Sequence, residues 1–126
     1  MTITDRWGTG IDTVSEDAAR LLEQATTEFM FFRDDPAATL DAAIEADPDA
    51  PLPRIVRAEL DLFSQTRQTL QSARDRLAEV DTLLDNASRR EQLHAAAADA
   101  WANGQLDIAA RLFDRAVALD LTTCWR

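Results

Sequence analysis

The 126-residue chain predicts an all-α domain, and three observations carry that reading. Three Gly, four Pro and no Tyr stand against an excess of Ala and Leu, a composition that favours helix and is poor in turn and β formers. Apolar residues recur at spacings of three and four along most of the chain, the period of helices with a buried stripe. Ser, Thr or Asp stands where several of those stripes begin, as N-cap residues do. A chain of this length fits one domain, residues 1–126, with a single core that buries about two-thirds of the surface of its unfolded form. No sheet is expected.

Residues 1–12 form an N-terminal segment, and six helices follow over residues 13–120. Thr13 and Glu16 stand at capping-box spacing, and Ala18, Leu22, Ala25, Phe29 and Phe32 then mark a helix of about five turns. Asp34-Asp35-Pro36 supplies an N-cap and a proline at the first helical position, opening a short second helix with Leu40, Ala43 and Ile44 on one face. Asp47-Pro48 closes it, because the residue before proline resists the α conformation.

After Pro51 and Pro53, a third helix carries two stripes, Ile55/Ala58/Leu62 and Val56/Leu60/Phe63, as a central helix covered from two sides would. The fourth has the single stripe Leu70, Ala73, Leu77, Val80 and Leu84. Ser88 and Glu91 make a second capping box before a fifth helix with Leu93, Ala97, Ala100 and Trp101, which Gly104 ends. The sixth carries Ile108, Leu112 and Leu119 beside Ala109, Phe113 and Ala116, leaving residues 121–126 as a tail. Six helices with short connections pair most simply as three antiparallel hairpins.

A period of about 34 residues, with small residues where paired helices approach and an aromatic between hairpins, is the mark of tetratricopeptide repeats. Residues 90–120 follow it. Ala97 holds the small position of the first helix, Gly104 the turn, and Ala109, Phe113 and Ala116 the small, aromatic and small positions of the second. Leu93 and Ala100 stand where the motif has Trp and Tyr. Leu40, Ala43 and Pro48 repeat the end of the pattern, and Ala58, Ala73 and Leu77 match it loosely in the middle hairpin. The expected architecture is a short, right-handed tetratricopeptide-like superhelix of three hairpins.

Asp5-Arg6-Trp7-Gly8, then Ala42-Ala43-Ile44-Glu45-Ala46-Asp47-Pro48, then Arg90-Glu91 with His94, Ala100-Trp101 and Gly104 resembles the start of the tetratricopeptide repeat protein 38 family. The order and spacing agree across nearly the whole chain. Members of that family continue into several hundred residues of further helical hairpins, so the resemblance implies a stand-alone N-terminal portion. It also implies a helical repeat fold without an assigned enzymatic activity.

The chemistry that the residues exclude is extensive. The formal net charge is −10, which repels a phosphate backbone or an anionic membrane at long range and suits a basic partner. All thirteen basic residues are Arg, so a Walker lysine is impossible, and the Arg, Ala and Asp bias suggests a GC-rich bacterial gene. Glu91 and His94 form a Glu-x-x-His pair, but a di-iron site needs two such pairs and the chain has one His. Asp47 and Asp49 lack the glycine and terminal glutamate of a calcium loop. Cys124 and His94 lie on different elements without a third orienting group, and a single Cys cannot build a zinc cluster or an internal disulfide. Neither a metal nor another cofactor is expected. With no signal-like start and no run of ~20 apolar residues, the expected location is the cytoplasm.

These residues predict a non-catalytic protein-interaction module. Tetratricopeptide arrays bind along the face of their first helices, and the helical offsets put Glu28, Glu59, Glu91, His94, Ala98 and Trp101 there. The expected groove is acidic, suited to an Arg- or Lys-bearing peptide with an apolar anchor. The alternative is a self-assembling structural subunit, a homodimer through an uncapped sixth helix with Ile108, Leu112, Leu119, Leu121 and Trp125 at the seam.

Overall fold

A computed structural model describes residues 2–4, 10–13 and 15–124, with the side chains of the last helix described through Leu119. Thr2–Thr4 (β1) and Gly10–Asp12 (β2) pair antiparallel with Ile3 opposite Ile11. Nothing in the composition announced this ribbon. Ile11 is buried against Ala19 and Leu22, so the ribbon covers one end of the helical core. Beyond these two three-residue strands, the regular structure of the described residues is helical, and the all-α class stands.

Helix α1 spans Glu16–Met30, fifteen residues and so shorter than the five turns expected. Its cap is Ser15, whose Oγ accepts from the Ala18 amide at 3.1 Å. Thr13, the expected cap, lies two residues upstream with its hydroxyl recruited elsewhere. It accepts from the Ser15 amide and donates to the buried Asp47 carboxylate at the end of the second helix.

Helix α2, Pro36–Ala46, starts as its sequence predicts, with Asp35 accepting from the Ala38 amide and Pro36 at the first position. Helix α3, Pro51–Ser64, takes Pro51 and Pro53 into its first turn, where a missing N–H costs no intrahelical bond. Helix α4, Arg67–Val80, is capped by Thr66 in a reciprocal box with Thr69, and a 3-10 turn over Asp81–Asn86 follows directly. Helix α5, Arg89–Ala102, begins with Ser88 Oγ accepting from the Glu91 amide and ends at Gly104, whose φ is 77°. Helix α6, Leu106–Cys124, extends into the stretch expected as a tail, since Leu121 to Cys124 contains no Gly or Pro to stop it.

Each helix packs principally against its neighbour in sequence: α1 on α2, α3 on α4, α5 on α6. Further packing joins α3 to α2, α5 and β2, and α4 to α5, which makes α3 the central helix its two stripes predicted. One core, of Ile55, Ala58, Leu62, Leu77, Val80 and Ala98, ties α3, α4 and α5 together. A second, of Ile11, Leu22, Ala25, Leu40 and Leu52, joins the ribbon to α1, α2 and α3. Between them Asp61 of α3 takes Arg57 at 2.7 Å and Arg76 of α4 at 3.1 Å, while Arg57 also reaches Asp41 of α2 at 3.2 Å.

Candidate functional site

The residues expected to line the groove fall into two groups. Glu28, Glu91 and Ala98 are buried and offer a partner little surface. Glu28 turns toward α2, where its carboxylate accepts from the Thr39 hydroxyl, and it borders a polar hollow of about 300 Å³ with Arg20 and Arg33. Glu91 is enclosed at the first turn of α5, and Ala98 belongs to the α3–α4–α5 core.

Glu59, His94 and Trp101, in contrast, share one side of α3 and α5. Nδ1 of His94 stands 2.7 Å from Oε1 of Glu59, an ion pair when the imidazole is protonated. Both atoms are out of reach of solvent, and neither has a hydrogen-bond partner among the described residues, so the close approach is a charge contact and not an aligned hydrogen bond. The other side of the imidazole environment is Phe113 of α6, edge-on with ring centres 5.5 Å apart. The aromatic position of the sixth helix therefore supports a residue of the candidate face.

An aromatic row crosses the first helix of each sequential pair. Phe29 of α1 and Phe63 of α3 have ring centres 5.3 Å apart, and Phe63 meets Trp101 of α5 edge-on at 4.9 Å. Their sequence stripes suggested core positions for Phe29 and Phe63, yet they are 42% and 55% exposed. Each sits at the edge of its helix's stripe, a position where periodicity alone does not separate core from surface. Beneath them lies a cavity of about 120 Å³, lined by Ala25, Phe29, Leu40, Val56, Glu59 and Phe63 among others. Glu59 is the one charged residue in that lining.

Past Phe29, α1 ends in an exposed apolar tip of Met30, Phe31 and Phe32. Phe32 is 96% exposed and has a positive φ of 52°, so it is both unpacked and strained. Strain kept at an exposed aromatic is a pointer to function.

On α6, Ile108 and Leu119 are partly exposed and Leu112 is half-buried, while Leu106 and Val117 are more exposed still. The Leu121 side chain and Trp125 lie outside the described residues. Among the described residues, no three of His, Cys, Asp and Glu gather to hold a metal ion, and no helix is long and apolar enough to cross a membrane. No family model, no curated protein and no solved structure matches the chain.

Proposed function

We propose that the chain is a non-catalytic protein-interaction module in which α1, α3 and α5 present a shared binding face to a peptide or helix of a partner protein. The observation that carries this is the Phe29–Phe63–Trp101 row, three partly exposed aromatics in which Phe63 touches the other two, with Phe29 and Phe63 lining a cavity. Aromatic side chains give large contact area at low entropic cost and dominate interface energetics. Met30, Phe31 and Phe32, which follow Phe29 in the chain, are exposed apolar residues beside that row's first member. In this reading consecutive helices are hairpins of a tetratricopeptide-like superhelix, the counterpart of the N-terminal portion of the tetratricopeptide repeat protein 38 family, working in the cytoplasm. The acidic groove narrows to Glu59, because Glu28 and Glu91 are buried.

A random peptide library selected on the immobilised chain tests the proposal. A consensus with an apolar anchor should emerge, and Phe63→Ala should weaken the selected peptides by about tenfold or more, as loss of an aromatic hot spot does, with the fold intact. Binding that ignores Phe63→Ala would overturn it.

A second reading, self-assembly through α6, is favoured by that helix's flank of partly exposed Ile108 and Leu119 with Leu112 between them. It uses a different surface and is compatible with the first.

A further inference from the structure

Resting on the interaction-face reading, we infer that the cavity between α1, α2 and α3 is a lysine-reading pocket, taking the side chain of a lysine from a partner peptide with its ammonium on Glu59. The walls are apolar: Ala25, Leu40 and Val56 surround a space of about 120 Å³, with the Phe29 and Phe63 rings at its edge. That matches a flexible four-carbon stem ending in a point charge. The stem would bury against the aliphatic walls while the charged head meets a carboxylate and two ring faces.

The carboxylate geometry selects between the two basic side chains. Oε1 of Glu59 is out of reach of solvent with Nδ1 of His94 2.7 Å away, which leaves Oε2 as the oxygen for a ligand. A guanidinium gains its advantage from a bidentate fork on both oxygens, whereas an ammonium needs only one. Lysine therefore fits better than arginine. No positive residue shares the lining, and the chain's net charge of −10 favours approach of a cation. These 126 residues contain thirteen Arg and no Lys, so the same stretch of a second copy cannot supply the lysine.

The test is an NMR titration of the ¹⁵N-labelled full chain with three capped amino acids: N-acetyl-lysine, N-acetyl-norleucine and N-acetyl-arginine, each as its N-methylamide. The lysine probe should shift the amides of Ala25, Phe29, Glu59 and Phe63 and bind about tenfold more tightly than norleucine, the value of one charge-assisted contact. Glu59→Gln should bring the affinity for the lysine probe down to that for norleucine, and Phe63→Ala should weaken both probes. Equal affinity for lysine and norleucine, arginine binding as tightly as lysine, shifts elsewhere, or no saturable shift would each overturn the inference. If library-selected peptides still depend on Phe63 while the lysine probe fails, the interaction face stands and the lysine pocket falls. If both fail, the interaction face falls with it.

Discussion

The amide of Arg33 donates to the carbonyl of Glu28 at 2.8 Å, closing the end of α1 around Phe32 in the left-handed conformation. Phe32 itself donates to the Phe29 carbonyl at 3.3 Å, so the two bonds form the paired C-terminal motif that usually carries glycine. The end of α5 shows the same pair, Gln105 to Ala100 and Gly104 to Trp101, with glycine in that place.

Phe32→Gly should therefore stabilise the fold. A left-handed L-residue costs about 1–2 kcal/mol, and the greater freedom of unfolded glycine takes back part of the gain. With Phe32 96% exposed, little packing is lost. Urea unfolding should show a gain of about 0.5–1 kcal/mol. A loss would mean that the ring packs against the protein. If the tip belongs to the binding face, the same variant should bind selected peptides more weakly, separating stability from function at one position.

Asp61 joins two arginines from two helices, with its side chain only 10% exposed and that of Arg57 only 14%. Removing the carboxylate leaves Arg57 with Asp41 alone and Arg76 without this partner, in a partly dehydrated seam between α3 and α4. Asp61→Ala should cost about 3 kcal/mol, the scale of breaking a buried ion pair by deleting one member. A chemical denaturation curve showing a loss near zero would mean that solvent screens the cluster.

The parts of this fold that are local were legible in the sequence, and the parts that depend on three-dimensional company were not. Asp35-Pro36, Ser88 and Gly104 act where their local chemistry placed them, because a cap or a left-handed turn is decided within a few residues. The stripes of α3 and α4 likewise predicted Ile55, Ala58, Leu62, Ala73, Leu77 and Val80 as core. Thr13 failed as a cap because a carboxylate from another helix holds its hydroxyl. Thr66 was missed because its partner is Thr69 and not the Glu or Gln of the usual box. At the site, Glu59, His94 and Trp101 came from repeat offsets, but the 2.7 Å pairing and the row through Phe29 and Phe63 are tertiary contacts with no sequence signature.

Asp99, in the last turns of α5, has its carboxyl pKa raised, first by burial and then by the Asp81 carboxylate. The folded chain therefore holds this proton more tightly than the unfolded one. That contribution to stability is fully present below the ordinary carboxylate pKa and is lost as pH rises through the folded value. Asp99→Asn removes the charge that must be dehydrated at neutral pH, so the variant should be more stable than the parent at about pH 7. The advantage should fade as pH falls below the ordinary carboxylate range, where the parent is protonated in both states. Parallel urea titrations across that range check it, and a difference independent of pH would refute the electrostatic cause.

Helix α6 carries an apolar flank on each side of its buried stripe. At about 100° per residue, Ala109 and Ala116 define the inward stripe. Ile108 and Leu119 lie roughly 80° to one side, with Leu112 between, and Leu106 and Val117 roughly 80° to the other, with Phe113 between. Phe113 leans on His94, which itself reaches back to Glu59 of α3. The flank of Leu106 and Val117 thus lies on the side of Phe113 and His94 and stays open to solvent, and that of Ile108, Leu112 and Leu119 lies on the opposite side, where a repeat array would stack its next hairpin. An apolar flank in that position is best covered by the same flank of a second copy, an arrangement a two-fold axis satisfies. Sedimentation equilibrium should then show a dimer in the micromolar range, converted to monomer by Ile108→Glu with Leu119→Glu and unaffected by Leu106→Glu with Val117→Glu. A monomer throughout for the unmodified chain would remove the self-assembly reading and leave the aromatic face of α1, α3 and α5 untouched.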